Sequence, residues 1–386
     1  MPDDFHVIAK PWAVIKHGLL QYVDLFVGKL GGFGKPVHFV DGFAGSGRLE
    51  DGTEGSPLRV AAMAANPRVP SRHGVLRCIN VEEKPGVFKK LEAATAEYVA
   101  SGHVTNLPGD FESNLPRILK MIGDSPTLFF IDPFGTQGAE LSTLLQIAEK
   151  PRGREVLIRF DDTRVKRLIR LADNQRESLD ATQRKIAEAL GQRVAQFATD
   201  EDVTKTLALL DAEERIESRQ VLIDGYRRIV LEKTKFRYGL SYPLRNPQTG
   251  GHRYFIVHFC AHPDGYVHMA NFMAKAERAY QRLEAQKGDF FAAPGQIEFP
   301  GIQEHFDNQM QAKNRAAVVA KLPEIIDAHH WRGHFVAARD VFAAIVDSFG
   351  WNVLRKEYFE ALRELRKAGR AEFSDLDDNG PIRFPK

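Results

Sequence analysis

The chain has 386 residues, of which 43% are hydrophobic and 27% are charged, and its formal net charge is +2. This composition is typical of a globular protein with two or three cores, and it excludes a chain whose overall charge demands a polyanionic partner. The two cysteines, Cys78 and Cys260, lie too far apart for a metal-binding motif and are typical of a reducing compartment. Because no secretory start and no apolar run of membrane-spanning length are visible, we expect a cytoplasmic protein without a membrane segment.

The first half of the chain alternates strand-like and helical patterns. A helical period over residues 11–30 ends at Gly31-Gly32. Short apolar runs typical of buried strands follow at residues 37–41, 75–82, 127–132 and 155–160. Helical patterns accompany them at residues 57–65, 85–100, 112–122 and 140–149. This alternation predicts an α/β fold of the Rossmann-like, doubly wound type, with a parallel sheet covered by helices on both faces.

The pattern of predicted elements changes twice in the second half of the chain. Residues 161–235 are polar and helical, and we interpret them as a helical insertion. An antiparallel hairpin is predicted by two strand patterns, at residues 236–245 and 253–262. A helix predicted after the hairpin, at residues 266–287, is expected to pack back on the sheet. Three helices and two short strands close the chain, at residues 314–329, 338–348, 354–368, 370–374 and 382–384. We therefore predict a domain over residues 1–290 and a winged helix-turn-helix domain over residues 291–386.

A glycine-rich loop follows the first strand, in the segment Val37–Gly47. Asp41 ends the strand, and Gly42, Gly45 and Gly47 allow the backbone to approach a ligand closely. We predict that the Asp41 carboxylate faces a cationic group such as a methionine amine or sulfonium. The alternative is a tight turn that Asp41 caps. Ser56-Pro57 then predicts a helix start with Ser56 as the cap, delayed by an insertion at residues 48–55.

Acidic residues also end the next two segments. Glu82 follows the second strand 35 positions after Gly47, where a carboxylate can accept both ribose hydroxyls, and Glu83 is expected to point to the opposite face. Asp110 is predicted to accept from an adenine amino group while Phe111 packs on the ring. The alternatives are a solvated strand end for Glu82 and a helix cap for Asp110.

The strongest indication of reaction type is Asp132-Pro133-Phe134 at the end of another strand. A carboxylate beside a proline carbonyl can accept hydrogen bonds from an amine, and an aromatic ring can stack on a planar base. Such a pair would orient a nitrogen lone pair toward a methyl donor. The alternative is a strand-end turn with a buried phenylalanine.

Two basic helices are candidate phosphate-binding surfaces. The first, in the insertion, carries Arg164, Lys166, Arg167, Arg170 and Arg176. The second, in the last domain, carries Arg355, Lys356, Arg363, Arg366, Lys367 and Arg370. Glu357, Glu360 and Glu364 interleave with the second set, which favours an ion-paired, solvated face there. The histidines lack the spacing of a zinc site, and we predict no metal.

These motifs together resemble a known family. The segments Val40–Gly47, Gly55-Ser56-Pro57-Leu58 and Phe130–Gly135 are similar to those of the three-Cys-motif partner proteins, over roughly residues 10–290. The resemblance implies a fold similar to class I S-adenosylmethionine-dependent methyltransferases. It also implies a partner with a three-cysteine motif, similar to radical S-adenosylmethionine enzymes. The last domain is similar to the winged helix attached to some members.

The resemblance implies S-adenosylmethionine as cofactor, with Asp41, Gly45 and Gly47 around its methionine part and Glu82 at its ribose. With the residues inferred above, the predicted cofactor site comprises Asp41, Gly42, Phe43, Ala44, Gly45, Gly47, Glu82, Asp110 and Phe111. It implies that Asp132, with Pro133 and Phe134, faces the substrate. We expect methylation of a nitrogen in a nucleic-acid base or a similar planar molecule, with nucleic acid bound by the winged helix and the basic insertion helix. Two alternatives stay open: an inactive module of the same fold that binds a protein or nucleic acid, and phosphodiester cleavage by Mg²⁺ held by Asp41, Glu82 and Asp132.

Overall fold

A computed structural model describes residues 22–31, 34–48, 52–66, 75–133, 135–174, 181–211, 215–245, 252–288, 300–377 and 379–385. The chain divides into two compact units. One unit is Leu19–His262, and the other contains Pro263–Lys386.

The first unit is built on one mixed sheet of seven strands. These are β1 (Val37–Asp41), β2 (Leu76–Glu82), β3 (Val104–Pro108), β4 (Thr127–Ile131), β5 (Arg154–Phe160), β6 (Tyr238–Arg245) and β7 (His252–Cys260). Their order across the sheet is β3-β2-β1-β4-β5-β7-β6. The first five strands run parallel, whereas β7 is antiparallel to both β5 and β6. The sheet is of the open, Rossmann-like α/β type, and the predicted hairpin is confirmed.

Helices cover both faces of this sheet. Those of the first half are α1 (residues 22–30), α2 (Ser56–Ala65), α3 (Pro85–Ala100), α4 (Phe111–Ile122) and α5 (Leu141–Ile147). The edge strand β3 has no counterpart among the predicted strands. Its sequence, Val-Thr-Asn-Leu-Pro, is half exposed and lacks the apolar run that marks β1 and β4.

The predicted insertion forms four helices that are part of the core. They are α6 (Asp162–Asn174), α7 (Ala181–Val194), α8 (Asp200–Asp211) and α9 (Arg215–Lys233). Tyr226 of α9 is fully buried, and its ring centroid lies 4.5 Å from that of Phe160 on β5. Its hydroxyl donates a hydrogen bond to the Ala139 carbonyl. The insertion therefore serves as a covering layer of the sheet.

The strand order fixes where a ligand can bind. β1 lies between β2 and β4, so the chain winds outward in opposite directions from the point between β1 and β4. In open α/β sheets, ligands bind beyond the carboxyl ends of the strands at this reversal point. The loops that follow β1, β2, β3 and β4 all start at this edge.

The second unit is mainly helical. It contains α10 (Pro263–Gly288), α11 (Pro300–Ala328), β8 (Phe335–Ala337), α12 (Ala338–Phe349), α13 (Arg355–Lys367) and β9 (Pro381–Arg383). The helices predicted at 314–329, 338–348 and 354–368 are confirmed. Strand β9 pairs antiparallel with β8, and the predicted strand 370–374 contributes one bridge, Glu372 to Arg383.

Helix α10 packs within this second unit, against α12 and α13. Tyr266 donates a hydrogen bond of 2.9 Å to the Asp347 carboxylate. This grouping differs from the expectation that the helix at 266–287 packs back on the sheet. The boundary between the two compact units lies between residues 262 and 263. The predicted domain limits, 1–290 and 291–386, stay a prediction.

A buried ion pair joins α10 to α13. Arg278 pairs with Glu357, and their side chains are 8% and 0% exposed. Glu357 also accepts hydrogen bonds from the Leu354 backbone amide at 2.8 Å and from the Asn314 side chain at 3.3 Å. The carboxylate therefore has enough donors to compensate for its removal from water.

None of the helices in the described ranges is long and apolar enough to cross a membrane.

Replacing Arg278 with methionine should destabilise the second unit by about 3–5 kcal/mol, because the Glu357 charge would stay buried without its cation. Urea unfolding of the full chain, followed by tryptophan fluorescence, measures this change, since Trp331 and Trp351 lie in the same unit. Arg332→Met is the matched control, because Arg332 pairs with Asp327 on the surface and should leave the midpoint unchanged. Equal midpoints for the two variants would contradict the prediction.

Candidate functional site

Asp41 is completely buried at the end of β1, where it organises the glycine loop. One carboxylate oxygen accepts a hydrogen bond of 3.2 Å from the Phe43 amide, and the other accepts one of 2.6 Å from the Ser56 hydroxyl. The contacts agree with the alternative in which Asp41 caps the turn. Its contact with a cationic group of a cofactor stays a prediction.

Ser56 does not cap helix α2, contrary to expectation. The N-cap is Gly55, Ser56 lies in the first turn with Pro57, and no side chain bonds to the free amides. The Ser56 hydroxyl points to Asp41 instead. A buried carboxylate without water needs such donors, which explains why the serine is used there.

The insertion between loop and helix is closed at its base. The Gly55 amide donates a hydrogen bond of 2.8 Å to the Gly47 carbonyl, and Arg48 forms an antiparallel bridge with Glu54. The chain thus leaves the loop and returns to the same place. Helix α2 therefore begins next to the glycine loop, although it is delayed in the sequence.

The glycines of the loop meet different constraints. Gly45 and Gly47 have positive φ angles of 64° and 79°. A Cβ at Gly47 would lie 3.2 Å from the Ala94 side chain, whereas nothing lies within 4 Å of the corresponding position at Gly45. A Cβ at Gly42 would lie 3.0 Å from the Phe111 ring. Gly45 is therefore the glycine beside which the structure leaves space for a ligand.

Glu82 joins the end of β2 to the glycine loop. Its Oε2 accepts a hydrogen bond of 3.0 Å from the Gly45 amide, and its Oε1 accepts one of 2.9 Å from the Lys84 amide. Each carboxylate oxygen can accept a second hydrogen bond, so two neighbouring hydroxyls of a ribose fit this group. Glu83 is exposed and follows the end of β2, and its pointing to the opposite face stays a prediction. Ala44 completes the connection, because its amide bonds to the Val81 carbonyl at 2.9 Å.

Asp110 caps helix α4, in agreement with the alternative weighed for it. It accepts a hydrogen bond of 2.8 Å from the Ser113 amide, and this bond lowers the pKa of the Asp110 carboxyl. Phe111 is only 1% exposed, and its ring centroid lies 6.0 Å from that of Phe43. The expectation that the Phe111 ring packs on adenine is therefore corrected, because the buried ring packs against Phe43 of the glycine loop instead. Contact of Asp110 with adenine stays a prediction.

Asp132 follows β4 and is held by a residue that sequence reasoning missed. Arg159, near the end of β5, donates a hydrogen bond of 3.0 Å to Asp132. The Arg159 guanidinium lies 4.7 Å from the centre of the Tyr254 ring on β7. Pro133 is buried, and Phe134 lies outside the described residues. An arginine near the end of the apolar segment Val-Leu-Ile-Arg-Phe was the available signal.

Two glutamates meet where helix α4 approaches the loop after β4. Glu112 accepts a hydrogen bond of 2.5 Å from the Gly138 amide. Glu140, two residues on, is partly buried, and its Oε2 has no hydrogen-bond partner in the described structure. Burial, reinforced by the Glu112 carboxylate, raises the pKa of Glu140 to about 7. Neither glutamate was predicted, because their proximity arises only when α4 meets this loop.

The basic helix of the insertion, α6, is partly neutralised inside its own unit. Lys166 pairs with Asp162 at 3.3 Å, and Arg164 pairs with Asp161 at 3.3 Å. Arg176 lies outside the described residues. Helix α6 therefore carries less unpaired positive charge than the sequence suggests. Phosphate binding by this helix stays a prediction.

Within the described ranges, no group of three or more His, Cys, Asp or Glu is placed to hold a metal ion. Asp41, Glu82 and Asp132 accept hydrogen bonds from separate partners. The structure does not bring these three carboxylates together as a magnesium site, which removes the geometric basis of the phosphodiesterase alternative.

The raised pKa of Glu140 predicts a pH-dependent stability. Its carboxyl holds a proton in the folded state at pH values where the unfolded chain has lost it. The stabilisation is present below the ordinary glutamate pKa and is lost as pH rises through about 7. Glu140→Gln keeps the group neutral and should be about 1–2 kcal/mol more stable than the native chain at pH 8, after allowance for partial exposure.

Urea unfolding at pH values from 5 to 8 would measure this difference. Glu97→Gln, at an exposed position of α3, is the control and should follow the native chain. A difference between Glu140→Gln and the native chain that does not grow with pH would disprove the assignment.

No family model matches the chain, and none of the curated proteins compared with it does. Solved structures show distant likenesses. The O-methyltransferase TomG of Streptomyces achromogenes, solved with S-adenosylmethionine, has 12% identity over 64% of this chain and 80% of that one, with a TM-score of 0.33. The protein LPL1258 of Legionella pneumophila has 13% identity over 69% and 91%, with a TM-score of 0.31. The cofactor-bound Rv0187 of MTB has 12% identity over 67% and 91%, with a TM-score of 0.28. Because these scores are low, the likenesses carry no conclusion about the function of this chain.

Proposed function

We propose that this chain is an S-adenosylmethionine-dependent methyltransferase-like protein. The observation that carries the proposal is the hydrogen bond between the Gly45 amide and the Glu82 carboxylate. It joins a glycine loop at the end of β1 to an acid at the end of β2, beside the point where the winding of the sheet reverses. A nucleoside with an anchoring tail fits such an arrangement.

The residues of this edge fit the cofactor as follows. Glu82 would accept hydrogen bonds from the two ribose hydroxyls through its remaining acceptor positions. The space beside Gly45 would admit the methionine part of the cofactor, and Asp110, which follows β3, would accept a hydrogen bond from the adenine amino group. When bound, S-adenosylmethionine supplies an electrophilic methyl group on a positively charged sulfur.

Asp132 is the residue we assign to the substrate. Its carboxylate would accept a hydrogen bond from an amine and so turn the nitrogen lone pair toward the methyl donor, with geometry supplying most of the rate. Arg159 supports this role, because a charge-assisted hydrogen bond from a partly buried guanidinium holds the carboxylate in one orientation. The substrate proposed is a nitrogen of a nucleic-acid base or a related planar molecule. Phe134 would stack on that ring.

The finer assignments rest on the resemblance. We place the chain with the three-Cys-motif partner proteins and propose a three-cysteine protein as its partner. The second unit would be a winged helix-turn-helix domain. Its order of elements supports this assignment, since α11, β8, α12 and α13 are followed by the bridge at Glu372 and by β9.

A second candidate function is an inactive module of the same fold that binds a protein or nucleic acid. One observation favours it. The carboxylates of Asp41, Glu82 and Asp132 each accept hydrogen bonds from groups of the chain itself, so the edge is structurally satisfied without a ligand. Cofactor binding distinguishes the two candidates.

Isothermal titration with S-adenosylhomocysteine should show binding to the native chain. Glu82→Gln should weaken it about 10- to 100-fold, since a charged acceptor for the ribose hydroxyls is lost while the bond from Gly45 can persist. Glu83→Gln, at the exposed neighbouring position, should bind as the native chain does. Absence of binding heat in the native chain would favour the inactive module.

Asp132→Asn should reduce methyl transfer at least about 100-fold and leave the affinity for S-adenosylhomocysteine within about twofold, because Asp132 is assigned to the substrate alone. The assay is transfer of a radiolabelled methyl group from S-adenosylmethionine to mixed-sequence RNA, mixed-sequence DNA and free nucleosides. Asp124→Asn, at an exposed residue paired with Lys150, is the control. Equal labelling by native chain and Asp132→Asn would remove Asp132 from the reaction.

A further inference from the structure

The segment that joins β4 to α5, residues 135–140, is held in place from outside; we call it the β4–α5 loop. The Gly138 amide donates a hydrogen bond of 2.5 Å to the Glu112 carboxylate of α4. The Ala139 carbonyl accepts a hydrogen bond from the Tyr226 hydroxyl of α9. Because these partners come from two separate helices, the position of the loop depends on contacts that lie far away in the sequence.

Gly138 joins the β4–α5 loop to the glycine loop. Its φ angle is 75°, in the left-handed region that favours glycine. A Cβ at this position would lie 2.9 Å from the Ile131 side chain, 3.1 Å from the Phe43 ring and 3.3 Å from the Phe111 ring. Phe43 is part of the glycine loop, so a displacement of Gly138 would remove a packing contact of that loop. The positions of the two loops are therefore coupled.

The two glutamates at this point, Glu112 and Glu140, lack a cation. Glu112 accepts the hydrogen bond from Gly138, and Glu140 lies two residues further along the loop. The Oε2 atom of Glu140 is buried, and no ion pair joins either glutamate to the residues that the structure describes. Two such carboxylates repel each other when both are ionised, and burial adds a cost for the charge of Glu140. A proton on Glu140 removes both penalties.

The groups that face Glu140 agree with this description. Burial raises the pKa of Glu140 from 4.5 to about 7, and the Glu112 carboxylate raises it further, whereas Arg193 of α7 lowers it only weakly. Burial, and then the proximity of Glu140, raises the pKa of the Tyr226 hydroxyl. Tyr226 thus keeps its proton and its bond to Ala139. Glu140 is the group here that changes its charge near neutral pH.

We propose that Glu112 and Glu140 form a latch, which holds the β4–α5 loop against the glycine loop while Glu140 is protonated and releases the loop when both glutamates are ionised. Outward movement of an ionised Glu140 into water relieves the repulsion and restores the hydration of its charge. The same movement draws Gly138 away from Glu112 and Phe43. Since the loop starts at the edge of the sheet where ligands bind, the latch controls access to that edge.

The raised pKa of Glu140 gives the direction and size of the effect. The latched form is fully favoured below pH 4.5, and this advantage is lost as pH rises to about 7. If Glu140 has its ordinary pKa in the released loop, the ratio of latched to released molecules falls roughly 20-fold between pH 5.5 and pH 7.5. Because Glu140 is partly exposed, solvent screening reduces the expected change to about tenfold.

Hydrogen–deuterium exchange of the full chain, followed by mass spectrometry at pH 5.5, 6.5 and 7.5, measures the release. Each rate is divided by the intrinsic exchange rate at that pH. Protection of the peptide over residues 135–141 should fall about tenfold across this range, because the Gly138 amide loses its acceptor. The peptide over β4 should be at least about 100-fold more protected at every pH, which identifies the loop opening as local.

Neutral variants separate the latch from a general effect of pH. Glu140→Gln should keep the protection of the loop constant across the range, because the group that ionises is gone. Glu112→Gln should reduce the fall to about three- to fourfold, since burial of Glu140 persists and the repulsion does not. Glu97→Gln, at an exposed position of α3, is the control and should follow the native chain. Circular dichroism checks the folding of each variant.

Three results would overturn the proposal. Protection of the native loop could be independent of pH, Glu140→Gln could show the same fall as the native chain, or Glu112→Gln could do so. The last result would assign the effect to Glu140 alone and remove the pair. None of these measurements requires a cofactor or a substrate, so failure of the latch is distinguishable from failure of the proposed methyltransferase function.

Discussion

The candidate site depends on the burial of one carboxyl group. Asp41 has no exposed surface, and a carboxylate removed from water must be given hydrogen-bond donors. One donor is the Phe43 amide, which bends the chain into the glycine loop, and another is the Ser56 hydroxyl. To bring Ser56 there, the insertion must close on itself, which it does through the bond from Gly55 to Gly47. The glycine loop and the Gly-Ser-Pro-Leu segment are thus one structural element.

The sequence predicts the strands of this frame well where the apolar run is unbroken. β1 and β4 are buried at every position, so each is visible as a short hydrophobic segment. β3 is not visible, because an edge strand needs no such run. The polar ends of β1, β2 and β4 could be predicted as site residues, since parallel strands bring their carboxyl ends to one edge. Their partners could not be predicted, because Arg159 meets Asp132 only when β5 lies beside β4.

The same limit explains two interpretations that the structure changes. Phe111 is apolar and follows a capping aspartate, and a residue in that position can contact a ligand or pack in the core. The ring packs in the core, because it lies against Gly42 with no room for a Cβ between them. On α13, spacing along the helix suggests pairs between neighbouring glutamates and cations. The face is ion-paired and solvated at Glu360 and Glu364, as expected, but their partner is Arg315 of α11, and Glu357 is buried against Arg278 of α10. Local spacing shows which pairs can form, and tertiary packing selects among them.

The carboxylates at this edge of the sheet accept hydrogen bonds from the chain itself, which is compatible with cofactor binding as well as with a purely structural role. Glu82 has used one acceptor position on each oxygen, and both bonds come from backbone amides that hold it still. A ligand that donates to the remaining positions would meet a carboxylate already fixed in place, so little further ordering would oppose binding. The same bonds would hold the loop closed in a protein that binds nothing there. The open space beside Gly45, where nothing lies within 4 Å of a built Cβ position, is compatible with both cases. Left-handed glycines with open space beside them also occur in ordinary turns of this chain, at Gly34, Gly102 and Gly350, so bound cofactor, and not the shape of the loop, distinguishes a binding site from a structural turn.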